Sequence, residues 1–94
     1  MNTKKSYPTV WDAIMDSPTE SAHMHAKAEL MQELVNRIKK INQTQNEIAQ
    51  HCGISQPRLN DLLRGRISRF SLDALVNIAG HLGCHVHFVL DDVA

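Results

Sequence analysis

Apolar residues recur at three- and four-residue spacing through most of this chain, and that spacing predicts helices. Met24, Ala28, Met31, Leu34, Val35, Ile38 and Ile41 make one long stripe. Ser17-Pro18-Thr19-Glu20 opens it: a capping hydroxyl, a proline at the first helical position and a carboxylate three residues after the cap coincide there. Asn42 is expected to close this helix, because asparagine tolerates the left-handed conformation of a C-cap. Ahead of it, Val10, Trp11, Ile14 and Met15 pair at helical spacing behind Thr9, which predicts a short helix inside residues 1–16.

Three shorter periods follow. Thr44-Gln45-Asn46-Glu47 is a second capping box, opening a helix that carries Ile48, Ala49 and Cys52 on one side and stops at Gly53. Ser55 caps the next, with Leu59, Leu62 and Leu63 inward, Gln56, Arg58, Asn60, Asp61 and Arg64 outward, and Gly65 at its end. Phe70 and Leu75 bracket Ser71 as a hydrophobic staple around a cap, and Leu72, Leu75, Val76, Ala79 and Leu82 form the buried stripe of a last helix ending at Gly83. The period then drops to two: Val86, Phe88 and Leu90 alternate with His85, His87 and Val89, a strand pattern. A lone strand leaves its backbone groups unpaired, so the economical partner is the same strand of a second copy; the alternative is an irregular tail lying on the domain.

Ninety-four residues bound a single core, placed in residues 17–94 behind an N-terminal segment 1–16. The longest apolar runs, such as Phe88-Val89-Leu90, are three residues, so neither a membrane span nor a signal-peptide core is expected and the cytoplasm is the default location. Cys52 and Cys84 sit in ordinary core patterns and are expected as reduced thiols. Net charge is zero, which argues against an anionic partner until its distribution is considered. Arg37 to Arg69 holds seven basic and two acidic residues, a local +5, and the remainder, with three basic and eight acidic, carries −5. One part of the surface is thus suited to a polyanion.

The chemistry is carried by Gln45-x3-Ala49-x3-Gly53-Ile54-Ser55-Gln56-x2-Leu59-x2-Leu62. Ala49 allows close helix approach, Gly53 the left-handed turn, Ile54 fills the corner, and Leu59 anchors the second helix. The product is two helices at a steep angle, the second with a polar side outward and a width that fits the major groove.

The stretch from about Arg37 to Leu82 resembles the phage-repressor, or XRE-type, helix-turn-helix family. Within it, Gly53-Ile54-Ser55-Gln56-Pro57-Arg58, Leu62-Leu63-Arg64-Gly65-Arg66, Phe70-Ser71-Leu72-Asp73-Ala74-Leu75 and Leu82-Gly83-Cys84-His85-Val86 resemble the HigA-like antitoxin branch. Asn42 and Gln43 depart from it, standing where the family commonly has Gly and an apolar residue. The resemblance implies a mainly α, lambda-repressor-like bundle of about five helices and a dimer on its operator, and the alternating tail adds the expectation of a C-terminal strand pairing across that homodimer through Val86, Phe88 and Leu90. It implies binding to a double-stranded DNA operator, and for the antitoxin branch neutralisation of a RelE/HigB-type ribonuclease toxin and repression of the shared operon. It places Gln45 and Ser55 at phosphates and Gln56, Arg58 and Asn60 at bases. Gln and Asn suit adenine and Arg suits guanine O6 and N7, each pairing worth about 1–3 kcal/mol of discrimination. Arg64, Arg66 and Arg69, at or after the end of that helix, are expected on the phosphate backbone.

Trp11 with Val10, Ile14 and Met15 is expected either to dock on the domain's own helices or to serve as a toxin-contacting segment. Among the histidines, His23 and His25 diverge on a helix, while His85 and His87 share a strand face without a third and fourth ligand, so no metal is expected. No nucleophile, base and orienting group fall into an arrangement that suggests an enzyme, and no cofactor is expected. Three readings remain: an autoregulating antitoxin, a stand-alone regulator without a toxin, and a protein-interaction module without DNA binding.

Overall fold

The computed structural model describes residues 18–92. In chain order these form α1 (Pro18–Lys39), α2 (Gln45–Cys52), α3 (Gln56–Leu63), a 3-10 turn at Ile67–Arg69, and α4 (Leu72–His81). The helix expected within residues 1–16, with Val10, Trp11, Ile14 and Met15, lies outside the described residues, as does the Ser17 cap. The fold is thus mainly α, with four α-helices rather than five among the described residues.

Local chemistry accounts for the starts of α2, α3 and α4. Thr44 Oγ1 accepts the Glu47 amide at 3.1 Å and Glu47 Oε1 accepts the Thr44 amide at 3.0 Å, a reciprocal box that satisfies two orphan donors. Ser55 Oγ accepts the Arg58 amide at 3.2 Å, and Ser71 Oγ accepts the Ala74 amide at 3.0 Å. All three helices also end alike. Ile54 N–H reaches Ala49 O at 3.0 Å, Arg66 N–H reaches Asp61 O at 3.0 Å, and Cys84 N–H reaches Ala79 O at 2.9 Å. Each is paired with a shorter-range bond from the preceding glycine to Gln50, Leu62 or Gly80 respectively, the Schellman arrangement. α1 ends differently from the expectation. No non-glycine residue described has a positive φ, so Asn42 is not a left-handed cap. Instead Lys40 N–H bonds Arg37 O at 3.2 Å and Ile41 N–H bonds Ile38 O at 3.0 Å, tightening the last turn and stopping the helix at Lys39.

One core joins the helices. α1 contributes Met31, Leu34, Val35 and Ile38, α2 Ile48, Ala49 and Cys52, α3 Leu59 and Leu62, and α4 Leu75, Ile78 and Ala79, with Phe70 between α3 and α4. α1 packs chiefly on α4 and also meets α3 and the 3-10 turn, so the α2–α3 pair is held from behind by both longer elements. Burying Leu59 or Leu62 completely stabilises this arrangement by about 1.5–3 kcal/mol per side chain.

The expected strand is corrected. Residues 84–92 carry no strand, and residues 85–92 make no backbone hydrogen bond with the rest of the described chain. The physical reason is the absence of a second extended segment among the described residues to supply a ladder. The two-residue period survives in burial alone: Cys84 and Val86 are half-buried while His85 and His87 are exposed. Beyond that point Phe88, Val89 and Leu90 are 64%, 79% and 96% exposed, three consecutive apolar side chains facing water. No described helix is long and apolar enough to cross a membrane.

Candidate nucleic-acid interface

The corner between α2 and α3 rests on Gly53, at φ 72° and ψ 29°. A β-carbon there would sit 2.8 Å from His81 Nε2, so the imidazole of α4 lies directly against the turn. The left-handed turn is what calls for glycine, and it sets α3 at its angle to α2.

With that angle set, α3 has a buried side and an exposed one, with Arg58, Asp61 and Leu63 half-buried between them. Leu59 and Leu62 are buried, whereas Gln56, Pro57, Asn60 and Arg64 are exposed. Residues 56, 60 and 64 repeat every four positions and so form one outward stripe. Among the described residues the side chains of Gln56, Asn60 and Arg64 take part in none of the side-chain hydrogen bonds and ion pairs that tie the neighbouring arginines. Gln45 is the first residue of α2 and exposed; Ser55, also exposed, is the N-cap of α3. Both therefore stand at helix N-termini, where unpaired amides and the helix dipole favour an anion.

Arg58 is placed otherwise. Its Nη1 donates to the carbonyl of Arg69 at 2.7 Å, and its guanidinium lies 4.2 Å above the centre of the buried Phe70 ring. The head is thereby turned to the linker between α3 and α4 and away from the outward stripe. Lys27, on α1, donates from Nζ to Phe70 O at 3.0 Å, so two cations hold consecutive carbonyls of that linker. Arg66 and Arg69 both meet Asp61: each Nη1 lies 3.2 Å from Oδ1. Within the basic stretch, Arg37 pairs with Glu33 at 3.4 Å across one helical turn, an exposed contact worth at most about 1 kcal/mol.

Sequence reasoning assigned no role to Lys27 or His81 at this surface and gave Phe70 only that of a staple beside Ser71; what each does here involves an element distant in the chain, which no local signal announces. Val86 is half-buried and Phe88 and Leu90 exposed at the far end; Phe88 lines a shallow groove with Leu72, Asp73, Val76 and Asn77. The rings of His85 and His87 meet edge to face at 6.0 Å, and among the described residues no group of three or more His, Cys, Asp or Glu is placed to hold a metal ion. Cys52 and Cys84 are free thiols, and burial pushes Cys52 above its ordinary pKa of 9.0.

The surface thus consists of a polar helical stripe, two capped helix N-termini beside it and a cationic linker at its end, an arrangement suited to a groove flanked by phosphates. Comparison with curated proteins gives no match. A family model described as a helix-turn-helix domain matches residues 13–91, most of the chain and all of the elements above except the end of the tail. The chain belongs to the helix-turn-helix domain family, as its glycine corner and outward α3 lead one to expect.

Proposed function

We propose that this protein is a sequence-specific repressor that binds double-stranded DNA as a homodimer, laying α3 in the major groove of each half-site. One observation carries the reading: Gln56 and Asn60 on α3, and Arg64 at its C-cap, stand outward with no partner from the described chain, while Leu59 and Leu62 are fully buried. Gln56 and Asn60 read base edges, adenine being the best match to their paired donor and acceptor. Gln45, Ser55, Arg64, Arg66 and Arg69 take phosphates. The second copy joins through the tail, where exposed Phe88 and Leu90 offer an apolar face. Such a regulator works in the compartment that holds its DNA, and the cytoplasm is the location this reading implies.

The finer reading, an antitoxin that represses its own operon and binds a RelE/HigB-type toxin, is supported by the motif resemblance at Gly53–Arg58, Leu62–Arg66 and Phe70–Leu75. The rival is a regulator without a toxin. A neighbouring reading frame for a small basic protein, which co-purifies with this chain when the two are co-expressed, is the outcome the antitoxin reading requires; a lone gene favours the rival.

The DNA reading is tested by gel shift on the region upstream of the protein's own gene. Gln56→Ala with Asn60→Ala removes two base contacts, so specific affinity falls by about 30-fold or more while binding to unrelated duplex persists. Undiminished specific binding by the double variant would remove the base-reading role from this stripe.

A further inference from the structure

An acidic residue on a surface that meets phosphates is expected to weaken it by like-charge repulsion, yet Asp61 sits on α3 within that surface. Its side chain is only 17% exposed, against 40% for Arg66 and 56% for Arg69, so the carboxylate lies behind the two guanidinium groups. Both contacts are made through Nη1: Arg66 to Oδ1 at 3.2 Å, and Arg69 to Oδ1 at 3.2 Å and Oδ2 at 3.3 Å. The Nε and Nη2 groups of both arginines are left over for an outside anion, since a guanidinium has five donors in a planar fork.

The same residue is bound to the linker through its backbone. Asp61 O accepts the Arg66 amide at 3.0 Å, the long bond that closes the end of α3. One turn earlier on α3, Arg58 holds the carbonyl of Arg69 at 2.7 Å and covers Phe70. α3 therefore grips the linker at two of its arginines: Arg66 by backbone and side chain of Asp61, Arg69 by the Asp61 carboxylate and by Arg58. The cluster of Asp61, Arg66 and Arg69 keeps a net positive charge, but its two cations point in fixed directions relative to the stripe of Gln56 and Asn60.

We propose that Asp61 is a positioning residue of the DNA interface, holding Arg66 and Arg69 as a phosphate clamp in register with the base-reading side of α3, with Arg58 locking the linker in place. This rests on the DNA reading above and deepens it. Asp61 then sets discrimination between sequences rather than overall adhesion. Phosphate contacts fix where a protein sits on the duplex, and bases are read only from the register so fixed. Releasing the arginines leaves their charge available to any duplex while blurring that register.

The test uses the full chain and two probes: the duplex enriched by the wild type from a random 25-base-pair library, and a mixed-sequence duplex of equal length. Dissociation constants by fluorescence anisotropy give a specificity ratio for wild type, Asp61→Asn and Asp61→Glu, with circular dichroism melts to establish that each is folded. Asp61→Asn is expected to bind the mixed-sequence duplex as well as or better than wild type, while its ratio falls on the order of tenfold. Asp61→Glu, which keeps the carboxylate, recovers part of the ratio. Equal gains on both probes would make Asp61 a plain repulsive charge and overturn the proposal, as would an unchanged ratio. A wild type that enriches no sequence would overturn the DNA reading itself, a result distinct from a wild type and an Asp61→Asn variant that discriminate equally well.

Discussion

Gly53→Ala attacks the corner on which the orientation of α3 depends. At φ 72° an alanine pays the left-handed penalty of about 1–2 kcal/mol, offset in part by about 0.4–1 kcal/mol from a less flexible unfolded chain. To this is added a steric term, because the new methyl meets His81 Nε2 at 2.8 Å, Cδ2 at 3.0 Å and Cε1 at 3.1 Å. His81 is exposed, so its ring swings aside at modest cost, and the net loss comes to about 1–2 kcal/mol. For a domain of this size that lowers Tm by roughly 5–10 °C, readable from circular dichroism at the helical minimum. Making the same substitution in a His81→Ala background isolates the two contributions, since only the steric one vanishes. Should Gly53→Ala melt with the wild type, or prove neutral once His81 is removed, the left-handed constraint on this turn is refuted.

Replacing Arg64, Arg66 and Arg69 together by alanine should flatten the dependence of log affinity on log salt by about one unit for each phosphate these side chains neutralise, measured on any duplex; an unchanged slope places them off the backbone. If the proposed tail-to-tail dimer forms, Phe88→Asp with Leu90→Asp should convert it to a monomer in sedimentation velocity while leaving the helical melt nearly unchanged, because both side chains are exposed in the single chain; an unchanged oligomeric state would remove the tail from the dimer. The raised pKa of Cys52 has a definite sign: the folded state holds its proton more tightly than the unfolded chain, so the associated stability is intact below the ordinary value of 9.0 and is lost as pH climbs from there through the folded pKa. Denaturant titrations from pH 8 to pH 10.5 should show a decline that Cys52→Ala reduces, and a decline of equal size in the variant would place its cause elsewhere.

Much of the fold is legible because its punctuation is local. A hydroxyl reaching an amide three residues on, as at Thr44, Ser55 and Ser71, and a glycine closing a helix, as at Gly53, involve only neighbours in sequence. The burial of Leu59 and Leu62 and the exposure of Gln56, Asn60 and Arg64 follow equally from three- and four-residue spacing, whereas Arg58, Asp61 and Leu63 are half-buried. What the residues leave hidden depends on partners distant in the chain. Arg58 reads as a groove residue by position, but its long side chain finds the Arg69 carbonyl and the Phe70 ring, and no spacing rule foretells which end a flexible arginine chooses. Ile78 joins the core although it lies outside the stripe assigned to its helix; α4 packs on both α1 and α2, so its buried face is wider than one stripe. The tail shows the converse case: its alternation is real in burial as far as His87, but a strand is a relation between two segments, and one chain supplies one.

The central claim, that the outward stripe of α3 enters the major groove, is tested most directly by methylation interference on the upstream DNA. Methyl groups on guanine N7 stand in the major groove, whereas those on adenine N3 stand in the minor groove. Two clusters of N7 interference about one helical turn apart, from methyl groups that obstruct the helix in the groove, are the predicted result. Interference confined to adenine N3, or none at guanine N7 within a protected site, would contradict it.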